Sequence, residues 1–228
     1  DLPQGAFSIN APKPWEILAI TFTNKAAGEL KERIANRLGE EDSGVWAGTF
    51  HSVCGKILRG RDHAERLGYT PRFTIYDTDD QRRLMKSIMK EHNIDDKLVP
   101  HRTVLSAISS AKDRLISPEE FADDNTFDYR KKVIARLYSL YQKALKRADA
   151  MDFDDMIVNT VRLLEKNEDV LEYYQNKFKY VMVDEYQDTN HAQYVLVSLL
   201  AGEHNNICVV GDDDQSIYRF RGATIENI

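Results

Sequence analysis

A short apolar run that ends in two acids constrains the fold of this chain more than any other feature. Residues 180–183 read Tyr-Val-Met-Val and are followed at once by Asp184 and Glu185. Four residues are too few for a helix, and aromatic and β-branched side chains favour a strand. Asn190 then offers an N-cap for the periodic segment that follows. The pattern predicts a buried strand, an acidic loop and a helix.

The position of the two acids indicates their chemistry. Ligands of open parallel sheets bind beyond the carboxyl ends of the strands, so Asp184 and Glu185 are expected at a binding crevice. One carboxylate would hold Mg²⁺ on the phosphates of a nucleotide, and the other would polarise an attacking water. For an isolated Asp-Glu pair, a helix N-terminus that attracts acids through its dipole is the simpler alternative.

A second apolar run, Ile207 to Val210, leads into the segment GDDDQSIYRFRGA at 211–223. With both runs in place, the chain resembles superfamily-one DNA helicases of the UvrD/PcrA/Rep type. The similar segments are residues 183–190 (motif II), 210–223 (motif III), 21–27 (TFTNKAA, motif Ia) and 48–51 (GTFH, the next DNA-contacting motif). Four motifs in the family's order, spread over nearly the whole chain, make the match specific.

The resemblance implies an α/β fold, namely an incomplete RecA-like parallel sheet of the P-loop NTPase type with an inserted all-helical subdomain. It places a first part of domain 1A at 1–55, the helical insertion 1B at 56–174 and a second part of 1A at 175–228. Apolar residues at helical spacing support the insertion and are predicted to be core. These are Leu84, Ile88 and Met89; Val104, Ile108, Ala111 and Leu115; and Val133, Leu137, Tyr141, Ala144 and Leu145.

Four short apolar segments are predicted to be neighbouring strands of one parallel sheet. Each is followed by polar motif residues, as expected where ligand groups collect at carboxyl ends. The segments are 17–20, 45–49, 181–183 and 207–210.

The resemblance also implies individual roles. Asp184 would be the Mg²⁺ ligand, Glu185 the general base and Gln215 the γ-phosphate sensor, so that ATP and Mg²⁺ are the cofactors of the intact protein. The residues implied at or near DNA are Thr21, Phe22, Asn24, Thr49, Phe50, His51, Lys112, Tyr218, Phe220 and Arg221. Phe220 stands where many relatives have tryptophan, which leaves a smaller ring for base stacking.

Three of these residues have simpler interpretations when the sequence is considered alone. Phe22 is favoured as a core aromatic, and His51 as a hydrogen-bonded structural histidine. A solvated lysine is an equally good interpretation of Lys112. The acids of the segment 151–156 are expected at a helix start, where the helix dipole attracts them, rather than at a metal site.

The implied function is an ATP-dependent DNA helicase that translocates 3′ to 5′ on single-stranded DNA and unwinds duplex in repair or replication. Its partners would be single-stranded DNA, single/double-strand junctions and other repair proteins. The alternatives are a helicase–nuclease subunit of recombinational repair, or a protein without a P-loop that only binds DNA or a partner.

Nucleotide hydrolysis also needs a phosphate cradle, usually G-x-x-x-x-G-K-[ST]. The only Gly-Lys pair, Gly55-Lys56, is followed by Ile57 and lacks the first glycine. In the family the P-loop and an adenine-reading motif precede the strand at Ile17, and motifs IV to VI follow about where the chain stops at Ile228. The sequence is therefore expected to be part of a longer helicase, and this part alone is predicted not to hydrolyse ATP.

Composition indicates an ordinary globular chain, with 42% hydrophobic and 30% charged residues and a net charge of −6. The segment 56–150 is mildly basic, with 20 Lys and Arg against 15 Asp and Glu, whereas the remainder has 11 against 22. No signal pattern and no apolar run of about 20 residues is present, so a cytoplasmic protein is expected. Cys54 and Cys208 lack metal-ligand spacing, and neither predicts a disulfide or a zinc site.

Overall fold

The computed structural model describes residues 12–38, 44–123 and 128–211. Its strands are β1 (Ile17–Thr21), β2 (Trp46–Thr49), β3 (Thr74–Tyr76), β4 (Ala150–Asp152), β5 (Tyr180–Val183) and β6 (Ile207–Val209). Its helices are α1 (Asn24–Leu38), α2 (Phe50–Leu58), α3 (His63–Arg66), α4 (Thr78–Glu91), α5 (His101–Lys112), α6 (Pro118–Asp123), α7 (Tyr129–Arg147), α8 (Phe153–Lys166), α9 (Glu168–Lys177) and α10 (His191–Ala201). Within these ranges, no helix has both the length and the apolar character needed to span a bilayer.

The central sheet has the strand order β2-β1-β5-β6, and all its pairs are parallel. Thr21 lies opposite Thr49, Ile20 lies opposite Val183, and Val183 lies opposite Val209. The four predicted strands are therefore confirmed as neighbours. Because the pairs are parallel and in register, their carboxyl ends share one edge of the sheet.

The sequence predicts that β5 is a buried strand, but in the structure only one of its two faces is covered. Val181 and Val183 are buried, whereas Met182 between them is 43% exposed. Side chains alternate between the faces of a strand, so every second residue meets the other side of the sheet. There, Met182 and Val210 line an open cleft with Leu30 of α1.

The described residues form two hydrophobic clusters. The first surrounds the sheet and takes residues from α2, α8, α9 and α10, including Ile57, Leu164 and Leu196. The second lies between α4, α5 and α7 and contains most of the predicted helical stripes. Its buried stripe residues are Ile88, Met89, Val104, Ile108, Ala111, Leu137, Tyr141 and Leu145.

The predicted range of the insertion and the observed clusters divide the chain differently at α8 and α9. The predicted insertion contains all of α8 and α9 up to residue 174, yet Val161 and Tyr174 pack into the first cluster with the sheet. Leu115 likewise packs against the first cluster. The three-part division of the chain stays a prediction.

A parallel pair of three-residue strands, β3 and β4, lies within the predicted insertion. Thr74 lies opposite Ala150, and Tyr76 lies opposite Asp152. Segments this short carry no recognisable period, so the sequence analysis did not anticipate them. The pair positions Asp152 at the start of α8.

Candidate functional site at the carboxyl edge of the sheet

The predicted motifs meet where β1, β2 and β5 end. Phe22 follows β1 and Phe50 begins α2 directly after β2, and their ring centroids are 5.3 Å apart in an edge-to-face arrangement. Asp184 follows β5, and its N–H donates to the carbonyl of Ile20 at 3.0 Å. Register alone therefore brings motif Ia, the GTFH segment and motif II together.

The turn after β1 is fixed by two threonines. The Thr23 hydroxyl accepts a hydrogen bond from the N–H of Ala26 at 3.1 Å, so Thr23 caps α1. The Thr21 hydroxyl is buried and donates to the carbonyl of Thr23 at 3.2 Å. Asn24 begins the helix and is exposed. Asn24 is therefore open to an external ligand.

The start of α2 depends on a small residue at the end of β2. The Thr49 side chain accepts from the N–H of Ser52 at 3.3 Å, and the Ser52 hydroxyl donates to the Thr49 carbonyl at 2.9 Å. A Cβ added at Gly48 would collide with that hydroxyl oxygen. Glycine at this position therefore allows β2 to turn directly into a capped helix.

Phe50 and Phe22 differ in their access to a ligand. Phe50 is 2% exposed and belongs to the first hydrophobic cluster, although it borders one cleft. Phe22 is half-buried and lines two clefts. Both rings are thus partly core residues, and Phe22 has the more accessible face for stacking.

The two acids of motif II are exposed after β5. The N–H of Glu185 donates to Oδ1 of Asp184 at 3.0 Å. Glu185 has φ 52° and ψ 42°, a left-handed conformation that is unfavourable for residues other than glycine and is frequent at functional sites. Partial burial, together with Asp184 and Asp188, raises the pKa of Glu185. A carboxylate with a raised pKa accepts a proton more readily.

The loop after β5 also packs against the end of β6. The N–H of Tyr186 donates to the carbonyl of Val210 at 2.9 Å. A Cβ added at Gly211 would lie 2.7 Å from Oε1 of Gln187. Motifs II and III therefore meet at Gly211. The predicted residues Gln215, Tyr218, Phe220 and Arg221 lie outside the described residues.

Two clefts meet at the wall formed by Phe22 and His51. The first, which we call the cationic cleft, has a volume of about 580 Å³ and is lined by Phe22, Asn24, Thr49, His51, Ser52, Gly55, Lys56, Arg59, Ile75, Phe153 and Met156. The second, the acidic cleft, has a volume of about 600 Å³ and is lined by Phe22, Thr23, Phe50, His51, Ser106, Ser109, Ser110, Asp113, Asp154, Glu185, Asp188, Asn190 and Gln193. The predicted residues Phe22, Asn24, Thr49, Phe50, His51 and Glu185 thus border one connected region.

His51 faces both clefts and packs against another aromatic side chain. Its ring lies edge-on to Phe153, with 5.4 Å between ring centroids. Burial lowers the pKa of His51 below its ordinary value, which favours the neutral ring. A neutral imidazole can donate and accept hydrogen bonds without contributing charge.

Lys112 does not lie at the surface, contrary to both sequence interpretations. Its side chain is 1% exposed, and its ammonium lies 2.7 Å from Asp152 and 2.8 Å from Asp155. On α5, the residues Ser106, Ser109 and Asp113 border the acidic cleft. The Lys112 side chain projects from a different face of the helix, into the protein interior. The DNA-contact prediction for Lys112 is therefore wrong in this conformation.

The acids at 151–156 begin a helix, as the sequence analysis predicted. Asp152 caps α8 by accepting from the N–H of Asp155 at 2.8 Å. Nothing in the local pattern indicated that the carboxylates of Asp152 and Asp155 would bind Lys112, which precedes Asp152 by 40 positions. Their burial, at 2% and 1% exposure, is the feature that only the structure reveals.

A second long-range contact in the acidic cleft was also missed. Asn190 caps α10 as predicted, and its side-chain N–H₂ additionally donates to Oδ1 of Asp113 at 2.7 Å. Burial, followed by the neighbouring charge of Asp154, raises the pKa of Asp113 to about 7. The acidic cleft therefore holds a carboxyl group that changes charge near neutral pH.

The comparisons with known proteins agree with these motifs. The family model of the UvrD/REP helicase N-terminal domain matches residues 6–228. The chain belongs to this family. It is 52% identical over 215 residues to the ATP-dependent DNA helicase PcrA of Staphylococcus aureus. The matched segment covers 94% of this chain and 29% of that protein. The same figures hold for PcrA of Staphylococcus epidermidis. The chain thus spans 29% of the length of these curated relatives.

The motif II residues suit the metal that a UvrD/REP helicase domain implies. Mg²⁺ on a nucleotide takes one or two carboxylates and completes its shell with phosphate oxygens and water. Asp184 and Glu185 are adjacent, exposed and placed beyond a strand end, so they match that requirement. Among the described residues no group of three or more metal-binding side chains occurs.

Proposed function

We propose that the intact protein is an ATP-dependent DNA helicase that moves along single-stranded DNA and unwinds duplex. The observation that carries this proposal is the assembly of motifs Ia, GTFH and II at one sheet edge in a chain of the UvrD/REP family. Glu185, one of the two carboxylates proposed for the nucleotide, borders the acidic cleft, and the aromatic side chains proposed for the bases line that cleft and the adjoining cationic cleft. The residues for hydrolysis and the residues for DNA movement would then follow the ends of neighbouring strands.

On the nucleotide side, Asp184 would ligate Mg²⁺ and Glu185 would orient and deprotonate the attacking water. The bound metal would neutralise charge on the transferred phosphate. The raised pKa of Glu185 supports its role as base, because a carboxylate with a raised pKa accepts a proton more readily. Glu185 has a left-handed backbone conformation, which turns the loop directly after Asp184.

On the DNA side, Phe22 would stack on a base, while Asn24, Thr49 and His51 would contact the strand beside it. All four line the cationic cleft. Stacking is independent of sequence because every base has a π-face, which suits a motor that must traverse any DNA. The edge-to-face contact with Phe50 holds the Phe22 ring in place.

The direct test is Glu185→Gln in the intact protein. The substitution keeps the size of the side chain and removes the base. Nucleotide binding should persist, while DNA-stimulated phosphate release should fall by roughly 10²–10⁴, the usual scale for general-base catalysis. The exposed Glu65→Gln on α3 is the matched control and should retain normal turnover. Normal hydrolysis by Glu185→Gln would assign the base elsewhere.

The finer parts of the proposal concern direction and substrate. We propose 3′ to 5′ movement and a preference for single/double-strand junctions in DNA repair or replication. Strand displacement should be measured on duplexes with a 3′ tail, a 5′ tail or blunt ends. Unwinding of the 3′-tailed duplex alone supports the proposal, and preferential unwinding of the 5′-tailed duplex refutes the direction.

A further inference from the structure

The C-terminus of α5 meets the N-terminus of α10, directly after the motif II loop (residues 184–190). Asp113 is the C-cap of α5, and its backbone carbonyl accepts a hydrogen bond from the N–H of Ala192 at 2.9 Å. The last carbonyl groups and the first N–H groups of a helix have no partner within that helix. The contact therefore gives a partner to both groups and brings together helix ends of opposite partial charge. Asp113 thus anchors the start of α10 through its backbone.

The side chain of Asp113 adds a second bond at the same place. The side-chain oxygen of Asn190 caps α10 by accepting from the N–H of Gln193 at 2.9 Å, so its amide nitrogen points the other way. That nitrogen donates to Oδ1 of Asp113 at 2.7 Å. Asn190 is buried, and a buried donor that loses its acceptor is unfavourable. Two groups of Asp113 therefore hold the residues that begin α10.

Hydrogen bonds within the motif II loop connect Asn190 to the proposed base. The hydroxyl and the N–H of Thr189 donate to the carbonyl of Tyr186 at 2.7 and 3.1 Å. The N–H of Asp188 donates to the carbonyl of Glu185 at 2.9 Å. A change in the position of Asn190 is therefore transmitted to Glu185 along a short hydrogen-bonded turn.

The motif II loop is held by the sheet on one side and by the helical part of the protein on the other. The N–H groups of Asp184 and Tyr186 donate to the carbonyls of Ile20 and Val210, at the ends of β1 and β6. Asp113 instead belongs to α5, whose buried apolar residues lie in the second hydrophobic cluster. The contact of Asp113 with Asn190 therefore relates the position of the proposed catalytic loop to the second cluster.

The surroundings of Asp113 are unfavourable for a carboxyl group. Asp154, Glu185 and Asp188 line the same cleft, and Ser109 forms a side-chain hydrogen bond with Asp154. Among the ion pairs of the described residues, Asp113 has no cationic partner within 4 Å. Burial and the charge of Asp154 accordingly raise its pKa to about 7. Carboxyl groups kept in such surroundings are concentrated at functional sites.

We propose that Asp113 is a positioning residue for ATP hydrolysis. Its side chain on Asn190 and its carbonyl on Ala192 hold the motif II loop, and the loop in turn holds Glu185 in place beyond β5. Asp113 acts through Asn190 and not on the nucleotide itself. This inference rests on the proposed function, because it takes Glu185 as the base.

The test uses the intact protein, with steady-state ATP hydrolysis measured at saturating oligothymidine. Asp113→Ala removes the acceptor for Asn190 and should lower kcat by roughly 10–10²-fold, the scale of a misplacement of about 1 Å. The KM for ATP should stay near the wild-type value, because the loss falls on the chemical step. Asp113→Asn keeps a side-chain oxygen for the same hydrogen bond and should recover most of kcat.

Glu91→Ala is the matched control, since it removes an exposed acid from the C-terminal end of α4, and it should keep the wild-type kcat. A wild-type kcat in Asp113→Ala would overturn the proposal. So would a loss in Asp113→Asn as large as that in Asp113→Ala, because the hydrogen bond would then not be the cause.

A variant of the partner residue separates the link from the helix cap. Serine caps helices about as well as asparagine, but Asn190→Ser lacks the amide that donates to Asp113. It should lower kcat as Asp113→Ala does, and it decides the matter if Asp113→Ala does not fold. The double variant Asp113→Ala/Asn190→Ser should be no slower than either single variant, because both remove one contact. Losses that multiply in the double variant would overturn the proposal.

Hydrogen exchange tests the link independently of hydrolysis. Residues 184–192 should exchange faster in Asp113→Ala than in the wild type or Asp113→Asn, while residues 195–201 of α10 keep their protection. Unchanged exchange at 184–192, or equal acceleration of both segments, would overturn the proposal. A wild type without DNA-stimulated hydrolysis refutes the helicase proposal, and the exchange of 184–192 then decides on its own whether Asp113 positions the loop.

Discussion

The ammonium of Lys112 lies 2.7 Å from Oδ2 of Asp152, and the two side chains are 1% and 3% exposed. Asp155 is the second carboxylate on the same lysine, and the Tyr141 hydroxyl donates to Oδ2 of Asp152 at 3.1 Å. Burial alone would lower the pKa of Lys112, but the two carboxylates outweigh burial and raise it. The group joins α5 and α7 to the start of α8, and hence one hydrophobic cluster to the other.

Lys112→Met is expected to destabilise the protein severely. The substitution fills a similar volume but leaves Asp152 and Asp155 as buried carboxylates without their counter-ion. Removal of one partner from a buried ion pair costs about 3–5 kcal/mol. The midpoint of urea unfolding measures the loss.

Lys90→Met on the exposed surface of α4 is the control, and its effect should be within about 0.5 kcal/mol of wild type. Replacement of the acids together with the lysine, as in Lys112→Met/Asp152→Asn/Asp155→Asn, should recover part of the loss because no buried charge remains. Full stability of Lys112→Met combined with weaker DNA binding would restore the surface interpretation.

Asp113→Asn is expected to change how stability depends on pH. The pKa of Asp113 in the folded protein is about 7, well above the ordinary aspartate value of 3.8. Between those values the folded state keeps a proton that the unfolded chain has released, so stability falls as pH rises. Asparagine cannot ionise, and its side-chain oxygen can still accept from Asn190. The variant should melt about 2–4 °C higher at pH 8, the shift that 1 kcal/mol produces in a domain of this size.

At pH 4 the difference between the variant and the wild type should be much smaller, because Asp113 is then neutral in the folded state and only partly ionised in the unfolded chain. Glu65→Gln on the surface of α3 should change neither the melting temperature nor its pH dependence. A constant difference between Asp113→Asn and wild type at every pH would show that the effect is not linked to the ionisation of Asp113.

Gly48→Ala tests the close approach of β2 to α2. The new methyl group forces the Ser52 hydroxyl away from the Thr49 carbonyl, to which it donates at 2.9 Å. Loss of that hydrogen bond should cost about 0.5–1.5 kcal/mol in unfolding free energy. In a Ser52→Ala background the collision is removed, and Gly48→Ala should then be nearly neutral. Equal costs in both backgrounds would mean that strand conformation, rather than Ser52, selects glycine.

Glu185→Gly tests the strain in motif II. Glu185 adopts φ 52°, and such a conformation costs about 1–3 kcal/mol for residues other than glycine. Glycine relieves it at some cost in chain entropy, so the variant should be more stable by up to about 1 kcal/mol while ATP turnover is lost. Glu185→Gln keeps the strain and should melt like wild type. A melting temperature of Glu185→Gly below that of Glu185→Gln would argue against backbone strain.

Local pattern determined much of this protein. The apolar runs at 17–20 and 207–210 specified two strands of one sheet, and Asn190 specified the cap of α10, because strand propensity and capping depend on a few adjacent residues. The order of four motifs specified the family and, with it, a parallel sheet whose carboxyl ends are followed by the candidate site residues.

What the sequence left open depends on contacts between distant segments. Lys112 was indistinguishable from a surface lysine, since its partners at 152 and 155 are reached only when α5 packs beside α8. The same holds for Asp113 beside Asn190 and for the division of charge between the two clefts. Periodicity indicates which face of a helix is apolar. A buried charge, however, is stabilised by an opposite charge elsewhere in the chain. Only the tertiary structure determines which of these groups meet.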